Sequence, residues 1–328
     1  MKKKYNLIKR SSDWIVISLV RVIVVLTHPI MVIWHLKRDP SFPFINPADP
    51  RTLNEKFFWR KIFDHNPVFP LVCDKLALRD WIDESGVDVA LPEIYWTGKD
   101  ASDIPYDVLA NGTAIKANHG SGTNLFVEDA PEDRDKLNRQ ANAFLHVDNG
   151  KRAGEWSYTE VERELFAEEL LRGRLLEYQF FTFGAHIQRV ILIMDRFEEG
   201  ISGDVWTPGA DGNFERNVDG GLDSVPHSNL PLPAQFEEAS KIARQLGKDF
   251  DHVRVDLNWD GVQLWLGELT LYHLGGYLPR IGHLPDDPIN ESWDLGKSWF
   301  MSTPQSGWRG VYQSALRRRL KTREHLPC

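Results

Sequence analysis

Cysteine is nearly absent: Cys73 and Cys328 are the only two in 328 residues. So few, so far apart, exclude a disulfide framework and a CxxC metal site, and a reducing compartment follows. There is no internal repeat and no low-complexity tract, which excludes solenoids and compositional tails. No small-residue cleavage site follows the apolar run near the start, which argues against a secretory signal peptide. What remains is ordinary folded-protein material, 42% hydrophobic and 26% charged, long enough for two or three packed subdomains.

The net charge of −8 hides an asymmetry. Residues 1–38 carry eight Lys/Arg against Asp13, residues 309–328 carry six against Glu324, and the middle is about −20. Within the first basic stretch lies "WIVISLVRVIVVLTHPIMVIW", 21 residues from Trp14 to Trp34. At about 1.5 Å per residue it is long enough to cross a hydrocarbon core of about 30 Å. Arg21 near its centre, Pro29 within it and basic residues at both ends speak for an interfacial or re-entrant anchor instead. A buried core helix is the alternative.

After a Pro-rich connector, Thr52 and Glu55 form a Thr-x-x-Glu capping box that predicts a helix. Leu76, Leu78, Trp81 and Ile82 recur at helical spacing up to Gly86. "YDVLANGTAIKANHG" and "NLFVE" read as strands, "EVERELFAEELLRG" as helix running into an extended end, and "EYQFFTFGAHIQRVILIMDRF" as a strand pair turning at Gly184. "TPGADGNFERNVDGG" reads as loop and "PAQFEEASKIARQLGKDF" as amphipathic helix, so the fold class is α+β.

Two stretches carry chemistry. In "TAIKANHGSGTNLFVE" a lysine, Lys116, stands in an apolar run beside His119, Gly120, Ser121 and Gly122. Backbone N–H groups freed by glycines suit a phosphate, yet the loop matches neither G-x-x-x-x-G-K-[ST] nor G-x-G-x-x-G and leads into a strand; an exposed hairpin is the plain alternative. "HVRVDLNWDGVQLWLGELTLY" places Asp256 and Glu268 on two strands joined across Asp260-Gly261. Acids amid apolar strands need a partner or a cation, and hard oxygen ligands suit Mg²⁺. Loop length decides whether the two share a face, and alternation alone leaves that open; Arg254 pairing with one acid is the structural alternative.

The order of these pieces, Asp74-Lys75, Ile115-Lys116 with its glycine loop, Ala167-Glu168-Glu169, Arg254-Val-Asp256 and Gly267-Glu268-Leu-Thr270, resembles the ATP-grasp superfamily. "LNEKFFWRKIFDHNP", "DKLALRDWI", "IKANHGSGTN", "FAEELL", "FFTFGAHIQ" and "VRVDL…GELTLY", over residues about 46 to 275, are similar to its TupA-like family of cell-surface polysaccharide biosynthesis. The resemblance implies two α+β lobes clamping ATP. Lys75, Lys116 and the loop His119, Gly120, Ser121, Gly122 would meet the phosphates, and Glu168, Glu169 and Leu170 would run along adenine and ribose. Asp256, Glu268 and Thr270 would hold Mg²⁺, with Arg254 and Lys116 as the catalytic cations. The chain departs from the superfamily pattern at Thr270, where asparagine is common, at Gln179, where lysine is expected, and in "LYHLGG".

The function implied is an ATP- and Mg²⁺-dependent carboxylate–amine ligase that modifies a surface-polysaccharide precursor through an acyl phosphate. A uronic acid or other carboxylate-bearing glycan and an amino acid or amino sugar would be its partners, and no nucleic acid. The alternatives are a sugar phosphotransferase, a sugar-binding scaffold without turnover, or a glycosyltransferase partner. The organisation expected is a membrane-associating segment 1–38, lobes 39–112, 113–185 and 186–300, and a basic tail 301–328, at the inner face of the cell membrane. Trp206, Trp259, Trp265, Trp293, Trp299 and Trp308 are candidates to stack on sugars, or core.

Overall fold

The computed structural model describes residues 2–38, 46–148, 150, 153–196, 200–217, 225–228, 231–278 and 287–323; for residues 2–11 and 38 it describes the backbone alone. By contact the chain falls into two units, residues 1–66 with 272–328, and residues 67–271. The two ends of the chain share one unit.

That first unit is helical. The helix Leu53–Phe63 starts at the expected capping box: Thr52 accepts from the Glu55 amide while the Glu55 carboxylate accepts from the Thr52 amide. Its buried Phe57, Trp59 and Phe63 pack on Trp293, Phe300 and Tyr312, and Trp59 Nε1 donates to the Tyr312 hydroxyl at 2.9 Å. The apolar run near the start is a bent pair, Lys2–Thr27 and Pro29–Arg38, and the two axes from Ser12 onward meet at 89°. Pro29 begins the second helix, where its missing N–H costs nothing. No single helix among the described residues is long and apolar enough to cross a membrane. The stretch read as a basic tail is a helix, Gly307–Arg323, that packs along the first one. Three of its basic side chains are already engaged: Arg318 grips Asp13 through Nε at 2.9 Å, and Arg319 and Arg323 converge on Asp49.

The second unit is α+β, built on two antiparallel sheets. The smaller joins β1 (Ile94–Gly98), β2 (Thr113–Ala117), β3 (Asn124–Val127) and β4 (Leu165–Glu169) in the order β1-β4-β2-β3. The larger joins β5 (Leu176–Phe183), β6 (His186–Met194), β7 (Ser202–Pro208), β8 (Phe214–Arg216), β9 (Val253–Trp259) and β10 (Leu264–Thr270) in the order β10-β9-β5-β6-β7-β8. Each sheet buries one face beneath a helix. Ile115, Ala117, Leu165 and Ala167 pack with Leu137 and Ala141 of Arg134–Phe144. In the larger sheet Tyr178, Phe180, Val253, Val255 and Leu257 are fully buried, and Phe180 meets Phe236 of the amphipathic helix Phe236–Gly247. With a side-chain period of two, the residues between them, Lys116, Phe166, Glu168, Glu177, Asp256 and Asn258, share the opposite faces.

Three local readings change. "EVERELFAEELLRG" holds no helix; its extended part is β4, because Leu165 and Ala167 enter the core alternately and this burial overrides the helix propensity of Glu, Leu and Ala. Tyr106–Ala110, read as strand, is a short helix that follows Pro105. "TPGADGNFERNVDGG" holds the end of β7 and strand β8 before it runs outside the described residues at 218–221. The helix Ala77–Ser85, closed by Gly86 in the left-handed region, and the β5–β6 turn at Gly184 are as read.

Candidate active site

Within the second unit the polar faces line a cavity of about 720 Å³, which takes residues from both sheets and from the glycine loop. Lys75, Lys116, Gly120, Ser121, Gly122, Glu168, Glu169, Leu170, Asp256 and Glu268 are brought together in its wall. His119 is not. It is buried beneath the loop with Nε2 3.0 Å from the Val147 carbonyl, and burial pushes its pKa down.

The loop between β2 and β3 turns through Gly120 and Gly122, both at positive φ. At Gly122 an added Cβ would meet nothing, so the glycine is needed for the backbone angle rather than for space. Asn118 ties down the loop base by donating to Asp74 Oδ1 at 3.0 Å and to the Glu162 carbonyl at 2.8 Å. Lys75 Nζ reaches the same loop from the other side and donates to Gly120 O at 2.7 Å. Burial pushes the Lys75 ammonium pKa down against the attraction of Glu268, and Lys116 adds to the depression. Lys75 is therefore placed to order the loop as well as to face a phosphate.

Lys116 extends from β2 to Glu168 Oε1 on β4 at 2.5 Å, and Arg79 holds the other oxygen of Glu168 at 2.9 Å. One carboxylate thus positions two cations on the cavity wall. Arg79 was not legible as a site residue; it lies on the helix Ala77–Ser85, just after the turn that holds Lys75.

The hairpin β9–β10 settles the parity of its acids. Its closing pair is Trp259↔Leu264, which leaves a four-residue loop from Asp260 to Gln263. A regular ladder from that pair would set Gly267 opposite Asp256 and turn Glu268 to the apolar face. The ladder instead slips between Leu266 and Glu268, a bulge at Gly267 that makes Glu268 the partner of Asp256. The two acids therefore share a face. Arg254 joins them: Nε donates to Asp256 Oδ1 at 2.6 Å and Nη2 to Glu268 Oε1 at 3.1 Å and to Thr270 Oγ1 at 3.0 Å. Burial pushes the Asp256 carboxyl up to about 7 against the pull of Arg254. Burial also opposes ionisation of Glu268, but Arg254, Lys75 and the Thr270 hydroxyl outweigh it and hold that carboxyl below its usual range.

Asn258, two residues beyond Asp256 on β9, lines the cavity too, as does Glu177 opposite it on β5. Glu177 is held by Arg196 and accepts from Gln179 Nε2 at 2.6 Å, so the glutamine at the expected lysine position stands directly across from Asp256. Period-two alternation on "VRVDLNW" was the signal that would have added Asn258. Of the tryptophans, Trp206, Trp265 and Trp293 are buried and Trp308 is exposed.

The donor set fits Mg²⁺: two hard carboxylates on one face, with Thr270 and Asn258 beside them, and water and phosphate oxygens to complete an octahedron. No group of three or more His, Cys, Asp or Glu side chains arranged to hold a metal is present among the described residues. The overall sign agrees, since the described cavity wall carries seven carboxylates against five Lys and Arg side chains. That balance repels a bare polyphosphate and suits one that arrives with a divalent cation.

A model of the TupA-like ATP-grasp family matches residues 55–282. The chain belongs to the TupA-like ATP-grasp family. Membership places it in the ATP-grasp superfamily. No curated protein matches the chain in sequence. Among solved structures the chain is similar to D-alanine–D-alanine ligase from Bacillus anthracis, at 15% identity over 80% of this chain and 72% of that one, with a TM-score of 0.37. It is also similar to the ATP-grasp ligase PsnB, solved with Mg and ADP, at 11% identity over 77% and 60%, TM-score 0.37. A third is phosphoribosylamine–glycine ligase from Thermotoga maritima, at 11% over 63% and 49%, TM-score 0.39. This TupA-like chain thus spans less than two thirds of the length of two of the three.

Proposed function

We propose that this TupA-like protein joins a carboxylate to an amine at the expense of ATP, with a carboxylate-bearing surface-polysaccharide precursor such as a uronic acid as acceptor and an amino acid or amino sugar as the amine. The observation that carries the reading is the cavity whose wall takes Lys116 and the glycine loop from one sheet, Arg79 from the helix Ala77–Ser85, and Asp256 and Glu268, both paired with Arg254, from the other sheet. Its described wall contains no cysteine or histidine. The side chains present bind and neutralise rather than form a covalent bond to substrate.

In this scheme an acceptor carboxylate oxygen attacks the γ-phosphorus of ATP and ADP leaves, giving an acyl phosphate. The amine then attacks the acyl carbon, phosphate departs and the nitrogen loses a proton, leaving an amide. Lys116 and the loop amides hold phosphate oxygens, while Glu168 fixes where the Lys116 ammonium stands. The chain from Glu168 through Leu170 lies along the nucleoside. Arg254, a permanent cation behind the two acids, offsets charge that grows on the transferred group. Asp256 and Glu268, with Thr270, would hold Mg²⁺, which would neutralise the polyphosphate. The polysaccharide acceptor is supported by the family resemblance.

The test is ADP release by the purified chain with glucuronate or galacturonate, with and without an amine, and with hydroxylamine as a trap. Amine-dependent turnover and a hydroxamate support the ligase. A stable phosphorylated sugar without amine replaces it with a phosphotransferase, and ATP binding without turnover replaces it with a scaffold.

A further inference from the structure

The helix Lys2–Thr27 is apolar on two opposite sides. Asp13, Ile17, Val20 and Val24, at steps of four, three and four, are buried, and Asp13 is held by Arg318 of the helix Gly307–Arg323. Ile15, Leu19, Val22 and Leu26 repeat the same steps on the outer side and are exposed, at 68%, 59%, 54% and 73%. Trp14 and Ile23 are exposed on the same helix, and Ile30 and Ile33 carry bare apolar surface past the 89° bend. A helix hydrophobic all round needs apolar surroundings on both sides, and the fold supplies one. The sequence supplies a charge cue for the other: Lys2, Lys3, Lys4, Lys9 and Arg10 precede the stripe in the same helix, with no acidic residue before Asp13.

We infer that this outer stripe docks on a bilayer rich in anionic phospholipid, with the bent pair lying in the plane of one leaflet and not crossing it. The two helices together are long and apolar enough to cross, and three observations favour the in-plane geometry over it. The run from Ser12 to Thr27, about 24 Å long at 1.5 Å per residue, falls short of a hydrocarbon core of about 30 Å, and the next helix leaves at 89°. Arg21 sits mid-run. Asp13 and its Arg318 partner fasten the inner side to the rest of the unit, so the helix cannot enter lipid on all sides without breaking that pair. An in-plane helix with one face in the acyl boundary and a basic lead-in is a two-part attachment, apolar and electrostatic. The docking is independent of the reaction, because all of its residues lie outside the unit that holds the cavity.

The test is co-flotation of the full chain with phosphatidylcholine vesicles that contain or lack 30% phosphatidylglycerol. Binding to the anionic vesicles, weakened at least tenfold by 0.5 M salt and at least tenfold by the pair Leu19→Glu and Leu26→Glu, is expected. The variant should bind a fluorescent ATP analogue as the parent does. Absence of binding at low salt overturns the inference, as does equal binding of the variant. So does a parent dimer that the variant converts to monomer without any vesicle affinity, which would place a second copy on the stripe. Hydrogen exchange of the unaltered chain, which does not depend on the variant folding, should slow at residues 12–36 on anionic vesicles; unchanged exchange there also overturns it.

Discussion

Replacing Lys75 with methionine separates ordering the glycine loop from meeting a phosphate. Its Nζ donates to Gly120 O at 2.7 Å, and Ala117 O at 3.4 Å is too far for a second full bond. A hydrogen bond from a charged donor contributes about 1.5–3 kcal/mol. At about 1.4 kcal/mol per tenfold, that is roughly 10–150-fold in affinity for anything the ordered loop holds. Methionine has nearly the volume of lysine and removes a buried charge, so global stability should fall by less than about 1 kcal/mol. Two measurements on Lys75→Met decide: the Kd of a fluorescent ATP analogue, and hydrogen exchange of the amides from Ala117 to Asn124 in nucleotide-free protein. Both should change, the Kd rising within that range and exchange accelerating before any ligand is added. Unchanged exchange in the free protein refutes the loop-ordering reasoning whatever the Kd does, because a lysine that meets only phosphate has no effect until phosphate arrives.

Glu268→Gln should raise the Mg²⁺ concentration needed for half-maximal ATP turnover by at least tenfold with the fold intact, measured by Mg²⁺ titration of ADP release; an unchanged requirement removes Glu268 from the metal site. Lys116→Ala should raise the Kd for ATP about 10–100-fold while thermal unfolding stays within a few degrees, and equal affinity would remove Lys116 from the phosphate site. His119 has its pKa pushed down by burial, so the folded protein binds its proton less readily than the unfolded chain. Its contribution is fully present above the ordinary histidine pKa and is lost as pH falls, with a slope of at most about 1.4 kcal/mol per pH unit; urea unfolding from pH 7.5 to 5 should show it, and His119→Gln should flatten it. Burial pushes the Cys73 thiol up to about 12. Its alkylation at pH 8.5, followed on the Cys73 peptide by mass spectrometry, should be slower than in the urea-unfolded chain by roughly three orders of magnitude.

The sequence was most informative where local rules and burial agree. The Thr52–Glu55 box needs four residues and no tertiary knowledge, and "VRVDLNW" alternates because one face of β9 is core and the other is cavity. It failed where burial overrode propensity, as at Leu165–Glu169, whose leucine, alanine and glutamates favour a helix until two neighbouring strands pair with them. The shared face of Asp256 and Glu268 was beyond reach for another reason. It depends on the loop length and on one bulge, and each changes parity by a whole step. His119 shows the limit of motif logic, since its neighbours line the cavity while its own ring turns under the loop.

The pairing of Asp13 with Arg318 sets an order of events during synthesis. Between the release of Thr27 and the arrival of Gly307 some 280 residues must be added, roughly 15–60 s at 5–20 residues per second. Throughout that interval the first helix has neither of its apolar surroundings: the inner stripe waits for a partner not yet made, and the outer one has none among the described residues of its unit. A nascent chain in that condition must be shielded by a chaperone or settle on a membrane before its last helix emerges. A stop anywhere before Arg318 would leave Asp13 without the counter-charge that holds it. Loss of the last twenty residues would therefore be felt first at the opposite end of the chain.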